Sequence, residues 1–457
     1  MRKTRNLDVR RLLVITYHFP PDGAIGGQRW AGLSKYLARL GWEVHVITAS
    51  AAGPQEAIPS VHRHVRPRRR TLNDMYNAAV GRFRRRSNRG RQLVPENSDR
   101  PRALSIMSPV AAVRRVLGSS ISLPDDGRGW VWRATAAARA LLRERTFDIV
   151  ITSGPPHSAH FAGLLATIGR HAQFWIDMRD PWSTHGMNAP EDWFVPAERF
   201  LLRQLEGLIF LRAAKVIVNT REFASALTLA EPNLDVVCFP NGIDLEQMPS
   251  RAVSTVEQGS IAYVGTLYAG RNLSSVCLAM RSLLSDRPEA AATLRLNVAG
   301  PIESHHRRQL QEDIAAAGLE SVVHVHGVLP REQALQLLNR SHLALVLAQD
   351  QPLQVPAKLY ECVGLGIPTL VIAESTSAAA LEARRIGAMT LDGGDVEGIR
   401  LLLEDLLACR IPTTIVSRTP ISYEHLAIRV DRLLREAVEL RHGDTTAEPY
   451  APAIRNE

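Results

Sequence analysis

Twice along this chain, six short runs rich in Val, Ile and Leu alternate with segments of helical periodicity, and no other feature constrains the fold as strongly. The first set reads RLLVITY (11–17), EVHVITA (43–49), DIVITS (148–153), FWIDMR (174–179), KVIVN (215–219) and VVCFP (236–240). The second reads SIAYVG (260–265), LRLNVAG (294–300), VVHVHG (322–327), HLALVLA (342–348), PTLVIA (368–373) and AMTLD (388–392). Strands that are apolar throughout need cover on both faces, and intervening helices supply it, so each set predicts a buried parallel sheet. The fold class is therefore α/β with two doubly wound domains, and 457 residues exceed what one ordinary core holds.

The domain boundary falls near residues 243–258, which are polar and aperiodic. The expected organisation is an N-terminal domain over 1–242, interrupted by an insertion over about 54–128, and a C-terminal domain over 243–420. A helix over 421–441 is expected to pack back on the first domain, and 442–457 reads as a tail. Open α/β sheets bind ligands beyond the carboxyl ends of their strands, so the expected site is a cleft between the two domains.

Charge narrows the function. The chain carries a formal net charge of +9, and residues 51–102 hold thirteen Arg against Glu56, Asp74, Glu96 and Asp99, which accounts for that whole excess. The remainder is about neutral, which argues against a nucleic-acid partner, whose basic surface would be built into the folded body. The stretch over 61–91 mixes Arg clusters with Met75, Tyr76, Val80 and Phe83, and reads either as a solvated insertion or as an element attracted to an anionic membrane surface. No apolar run approaches the ~20 residues of a membrane span. The basic start leads into LLVITY and Pro-Pro without a small-residue cleavage site, so a cytoplasmic start is expected. Cys238, Cys277, Cys362 and Cys409 lack metal-site spacing, which predicts reduced structural thiols and no metal.

One helix carries the sharpest chemical signal. In VPAKLYECVGLGIP, Pro356 suits the first helical turn and Gly364 and Gly366 close the helix, whose N-terminus then sits at the carboxyl end of the preceding strand. Free N–H groups there attract anions, Lys358 adds a charge, and Glu361 on the same face can accept two hydroxyl hydrogen bonds, as from a ribose diol. The pair suits a nucleotide diphosphate, and an ordinary surface Lys–Glu pair is the bland alternative. Lys358 is one of only four lysines among 55 basic residues, which favours a site needing a compact ammonium.

Other segments point to the same cleft. YHFPPDGAIGGQRW places Gly23, Gly26 and Gly27 between a strand and a helix, where backbone can approach a ligand. YVGTLYAGRNL repeats the theme, with Gly265 for close approach and Arg271 as a fork for phosphate. FWIDMRDPWS sets Asp177, Arg179 and Asp180 at a strand end, where one aspartate is expected to pair with Arg179 and the other to face the cleft. His157 and His160 read as capping or core residues rather than metal ligands.

In their order and spacing, YHFPPDGAIGGQRW, LPDDGRGW, TSGPPHSAHFAG, DMRDPW, NTREFASAL, FPNGID, YVGTLYAGRN and VPAKLYECVGLGIP resemble glycosyltransferase family 4, a group of retaining enzymes on the GT-B fold, in particular its bacterial cell-surface polysaccharide branch. The resemblance covers about residues 11–440 and implies two Rossmann-like domains facing each other across a cleft. It implies a nucleotide diphosphate sugar as donor, no metal, and a hydroxyl acceptor of the lipid-linked glycan type. It assigns Glu361 to the ribose, Lys358 and Arg271 to the diphosphate, and Gly26 and Gly27 to the diphosphate and acceptor. Asp180 or Asp177 would orient or deprotonate the acceptor hydroxyl, with Asp180 preferred. Two positions depart from the family pattern: Leu353 stands where many members carry a donor-sugar glutamate, and Thr266 where a basic residue is common. A nucleotide-sugar epimerase, a phosphorylase and a non-catalytic adaptor are the alternative readings, and the expected location is cytoplasmic, peripheral on the inner face of the plasma membrane.

Overall fold

The computed structural model describes residues 10–22, 25–50, 58–69, 125, 127–182, 196–251, 253–411 and 418–442. The first sheet contains β1 (Arg11–Thr16), β2 (Glu43–Thr48), β3 (Val61–Val65), β4 (Ile149–Gly154), β5 (Gln173–Met178), β6 (Lys215–Val218) and β7 (Val236–Cys238), all parallel, in the order β3-β2-β1-β4-β5-β6-β7. The second contains β8 (Glu257–Val264), β9 (Arg295–Ala299), β10 (Val323–Gly327), β11 (Ser341–Leu347), β12 (Thr369–Ile372) and β13 (Met389–Leu391), in the order β10-β9-β8-β11-β12-β13. In each sheet the order reverses once, between β1 and β4 and between β8 and β11. The chain leaves these neighbouring strands in opposite directions, opening a crevice at their carboxyl ends.

Twelve helices connect the strands among the described residues. In the first unit they are α1 (Ile25–Arg39), α2 (Arg128–Glu144), α3 (Ser158–Thr167), α4 (Pro196–Phe210) and α5 (Arg221–Ala230). In the second they are α6 (Ser274–Asp286), α7 (Ser304–Ala317), α8 (Arg331–Arg340), α9 (Ala357–Leu365), α10 (Ala378–Arg385) and α11 (Val396–Leu407), followed by α12 (Tyr423–His442). Thr220, Ser377 and Asp395 open α5, α10 and α11 by accepting backbone N–H bonds with their side chains.

The strands sort their side chains to the two faces with period two. Leu12 and Val14 of β1 face α1 and α12, where Trp30, Leu33, Leu426, Val430 and Leu434 close one core. Leu13 and Ile15 face α2 and α3 on the other side. The last helix therefore crosses back to cover the first sheet. Its return lies against the outgoing linker: Ile243 N donates to Ile421 O at 2.9 Å and Tyr423 N donates to Ile243 O at 2.8 Å. Asp244 in the linker accepts from Tyr36 Oη at 2.8 Å and Lys35 Nζ at 2.7 Å, fastening it to α1.

Part of the segment expected as an insertion belongs to the sheet. Val61–Val65 is the edge strand β3, whose polar VHRHV pattern suits a strand that is only half-buried. The expected membrane element over 61–91 is described only as far as residue 69, and the tail over 442–457 lies beyond the described residues apart from His442. No helix among the described residues is long and apolar enough to cross a membrane.

Candidate active site

The second sheet's crevice carries Gly265, Arg271, Lys358 and Glu361 among the residues singled out in the sequence. Helix α9 starts immediately after Pro356, beyond the carboxyl end of β11, and ends at Gly366 in the left-handed region (φ 71°). Its first turn carries Lys358, and Glu361 lies one turn on, with a side chain only 8% exposed. Glu361 Oε1 accepts from Arg331 Nη1 at 2.8 Å, and Oε2 pairs with Lys358 Nζ. Burial alone would raise the Glu361 pKa, but the Lys358 and Arg331 charges and hydrogen bonds outweigh it and hold the group below the usual carboxylate value. Each oxygen keeps a second acceptor direction, so an ionised Glu361 can still accept from a diol.

Across the reversal point, the loop after β8 brings Arg271 to the same edge. Its Nη2 donates to Gln351 Oε1 at 2.7 Å, and its guanidinium lies 4.7 Å from the Tyr268 ring centroid. Gly265 is required by packing, since a Cβ there would press on the Tyr263 ring and hydroxyl.

The loop over 351–354 reaches the first unit. Leu353 packs against the cluster containing Trp182 and Phe223, and its carbonyl accepts from Thr220 Oγ1 at 2.8 Å. Leu353 thus serves as a contact between the units. Gln354 Nε2 donates to Asp180 Oδ1 at 3.0 Å. Burial raises the Asp180 pKa above the usual carboxylate value, while Arg179, Arg271 and the Gln354 bond partly offset that rise.

The two aspartates of FWIDMRDPWS have different fates. Asp177 is fully buried, and its Oδ2 accepts from Trp30 Nε1 at 2.8 Å, Ser153 Oγ at 2.8 Å and Arg29 Nε at 3.2 Å. Its ionic partner is Arg29, whose Nη2 lies 3.2 Å from Oδ1, rather than Arg179, and its carboxylate lies inside the first core, whereas Asp180 is bonded to the loop that reaches across from the second unit. Arg179 instead donates from Nε to Gly154 O at 3.1 Å and from Nη2 to Pro155 O. Gly26 lies against the Arg179 guanidinium, which a Cβ would overlap, and Gly27 lies against the backbone of His18 and Phe19. These glycines let α1 approach its neighbours closely and leave its N-terminus at the crevice of the first sheet.

That crevice is a cavity of about 520 Å³ lined by Tyr17, His18, Arg68, Pro155, His157 and Arg179 among others. All of its lining comes from the first unit. Asp125 at its wall is engaged, accepting from Gly127 N at 2.9 Å and Ser158 N at 2.8 Å. His157 stacks on Trp182 with ring centroids 5.0 Å apart, and burial pushes His160 down to about 4. The histidines are core groups beside the cavity. A cavity of about 550 Å³ near Gln173, Lys215 and Arg441 opens at the amino ends of β5 and β6, away from this chemistry.

Arg331, Gln351, Gln354 and Arg29 were not signalled by the sequence motifs. Only Arg331 offered a clue, as the first residue of a helix that follows the carboxyl end of β10.

Comparison with known proteins agrees with this architecture. Residues 26–242 match the family model described as "Glycosyl transferase 4-like domain". No curated protein matches the chain. Among solved structures, the sucrose-phosphate synthase of Thermosynechococcus elongatus superposes with a TM-score of 0.58 at 13% identity, covering 95% of this chain and 98% of that one. Anabaena HepE in complex with UDP and glucose gives 0.53 at 13% identity, covering 95% and 99%. A putative UDP-N-acetylglucosamine 2-epimerase of Listeria monocytogenes gives 0.52 at 14% identity, covering 95% and 97%. Residues 26–242 thus match a glycosyl transferase 4-like domain, and the chain as a whole has the two-sheet fold of these solved structures.

Proposed function

We propose that this protein is a glycosyltransferase that moves a sugar from a nucleotide diphosphate donor to a hydroxyl acceptor with retention at the anomeric carbon. The observation that carries the reading is the Lys358–Glu361–Arg331 cluster beyond β11, with Arg271 on the loop after the neighbouring strand β8 and the cavity of the first sheet on the other side of the cleft. Glu361 accepts the ribose hydroxyls. Lys358, Arg271 and the N-terminus of α9 neutralise the diphosphate, with Gly26 and Gly27 letting the N-terminus of α1 approach it and the acceptor. The acceptor oxygen forms its bond to the anomeric carbon as the bond to the phosphate oxygen breaks. The leaving electron pair passes to the diphosphate, where fixed cations act most strongly because charge develops there. The reaction drawn this way uses no metal.

Asp180 orients or deprotonates the acceptor hydroxyl. Asp180→Asn should lower kcat about 10²-fold or more with little change in donor KM. Because the Asp180 pKa is raised, the acid limb of the wild-type kcat profile should lie above the usual carboxylate range and vanish in the variant. An unchanged kcat would refute the role.

The acceptor sits in the first-sheet cavity, where Arg68 and Arg179 favour an anionic group such as the phosphate of a lipid-linked glycan. This fits cell-surface polysaccharide synthesis at the cytoplasmic face of a membrane. Exposed Arg66 and Arg69 after β3 begin the basic segment over 61–91, so sedimentation with anionic but not neutral vesicles is expected at low salt and should be lost on deleting that segment. Binding that is absent, or indifferent to salt, would count against it. The likeness to the Listeria protein favours an epimerase as the second reading; such an enzyme would convert the nucleotide sugar without any acceptor. A phosphorylase would require inorganic phosphate, and an adaptor would bind without turnover.

A further inference from the structure

At the amino end of β2, remote from the cleft, the first sheet carries a second cluster that the transfer reaction does not use. Strands β2 and β3 pair with His45 opposite His62 and Ile47 opposite His64, so Glu43, His45, His62 and His64 share one face. Glu43 Oε1 lies 3.0 Å from His45 Nε2 and 3.7 Å from His62 Nε2. These three donor atoms lie within 4.8 Å of one another. The other nitrogen of His45, Nδ1, is 2.9 Å from His64 Nε2. Without a cation Nε2–H donates to Glu43; a cation bound there moves the proton to Nδ1, which donates it to His64 Nε2, the way outer partners orient metal-ligating imidazoles. Phe147 packs edge-on against His45, fixing the ring, while His62 is 49% exposed and admits an ion from solvent.

We propose that Glu43, His45 and His62 bind a divalent cation of the zinc type, which ties the edge strand β3 to β2. A nitrogen-rich set with one carboxylate suits zinc, with water in the fourth position. Two guanidiniums already hold Glu43, and they act differently. Arg11 Nε bonds Oε2 at 2.8 Å, on the oxygen the cation does not need, and so supports the ligand from outside. Arg145 Nη1 bonds Oε1 at 2.6 Å and competes directly, but it is 46% exposed at the end of α2 and can swing into water. The cation takes its place.

The test uses untagged full-length protein stripped with chelator and titrated with zinc chloride, followed by calorimetry and thermal unfolding. One zinc per chain and a rise in Tm of a few degrees are expected, with no response to magnesium. His62→Ala and Glu43→Gln should each lose both signals, and the exposed position of His62 leaves its variant folded. Arg145→Gln should bind zinc more tightly than wild type. Replacing His305 and His306, a stacked pair on α7, should leave binding unchanged. Absence of zinc binding by the wild type, or binding retained by His62→Ala and lost with His305 and His306, would overturn the proposal.

Discussion

Glu361→Ala should lower kcat/KM for the nucleotide sugar about 10²- to 10⁴-fold, the range expected when two hydrogen bonds to a charged group are lost at about 1.5–3 kcal/mol each. The loss should appear chiefly in donor KM, because the ribose does not change between ground and transition state. Two effects reinforce each other. The diol loses its acceptor, and Arg331 and Lys358, which now converge on one carboxylate, are left as neighbouring cations without it. Glu361→Gln, which keeps an acceptor oxygen but not the charge, should fall between the two. Steady-state kinetics with the donor varied at fixed acceptor measures this. A KM equal to wild type would separate Glu361 from the donor.

The second large effect is on stability. Asp177→Ala should destabilise the protein by about 3–5 kcal/mol, because it strands a buried cation. Arg29 is 3% exposed, and its carboxylate partner is Asp177; its other bonds run to Phe239 O at 2.9 Å, Pro240 O at 2.8 Å and Asn241 Oδ1 at 3.4 Å. Trp30 Nε1 and Ser153 Oγ lose their acceptor as well. Urea unfolding of the variant should show the shift, while kcat per folded molecule stays near wild type. Loss of kcat with unchanged stability would return Asp177 to the reacting centre.

The contrast between these residues shows what the chain reveals linearly. Lys358 and Glu361 were legible because three residues on a helix place them together, and Pro356 and Gly366 mark where that helix begins and ends. Arg331 reaches Glu361 from another helix, and Arg29 reaches Asp177 across 148 residues, so no spacing announces either. For the same reason FWIDMRDPWS contained both aspartates without telling which one the core would take. Twelve of the thirteen strands among the described residues appeared as runs rich in Val, Ile and Leu, nine of them buried on both faces and the edge strands β7, β10 and β13 less so. Strand β3 escaped notice because its His-Arg-His centre is polar, as an edge permits, and the same polarity hid the cluster it forms with Glu43 and His45. Leu353 was legible as a departure from the family pattern, but its use as a contact between the units followed only from the fold.

The central claim is that the second sheet's crevice holds a nucleotide diphosphate. It is tested most directly by thermal unfolding of the wild type with UDP, GDP, ADP and dTDP, alongside Lys358→Ala and Glu361→Ala, since a ligand bound only by the native state raises Tm. The account predicts that one of these nucleotides raises the Tm of the wild type and of neither variant. No shift with any of them at millimolar concentration, or an equal shift in both variants, would contradict it.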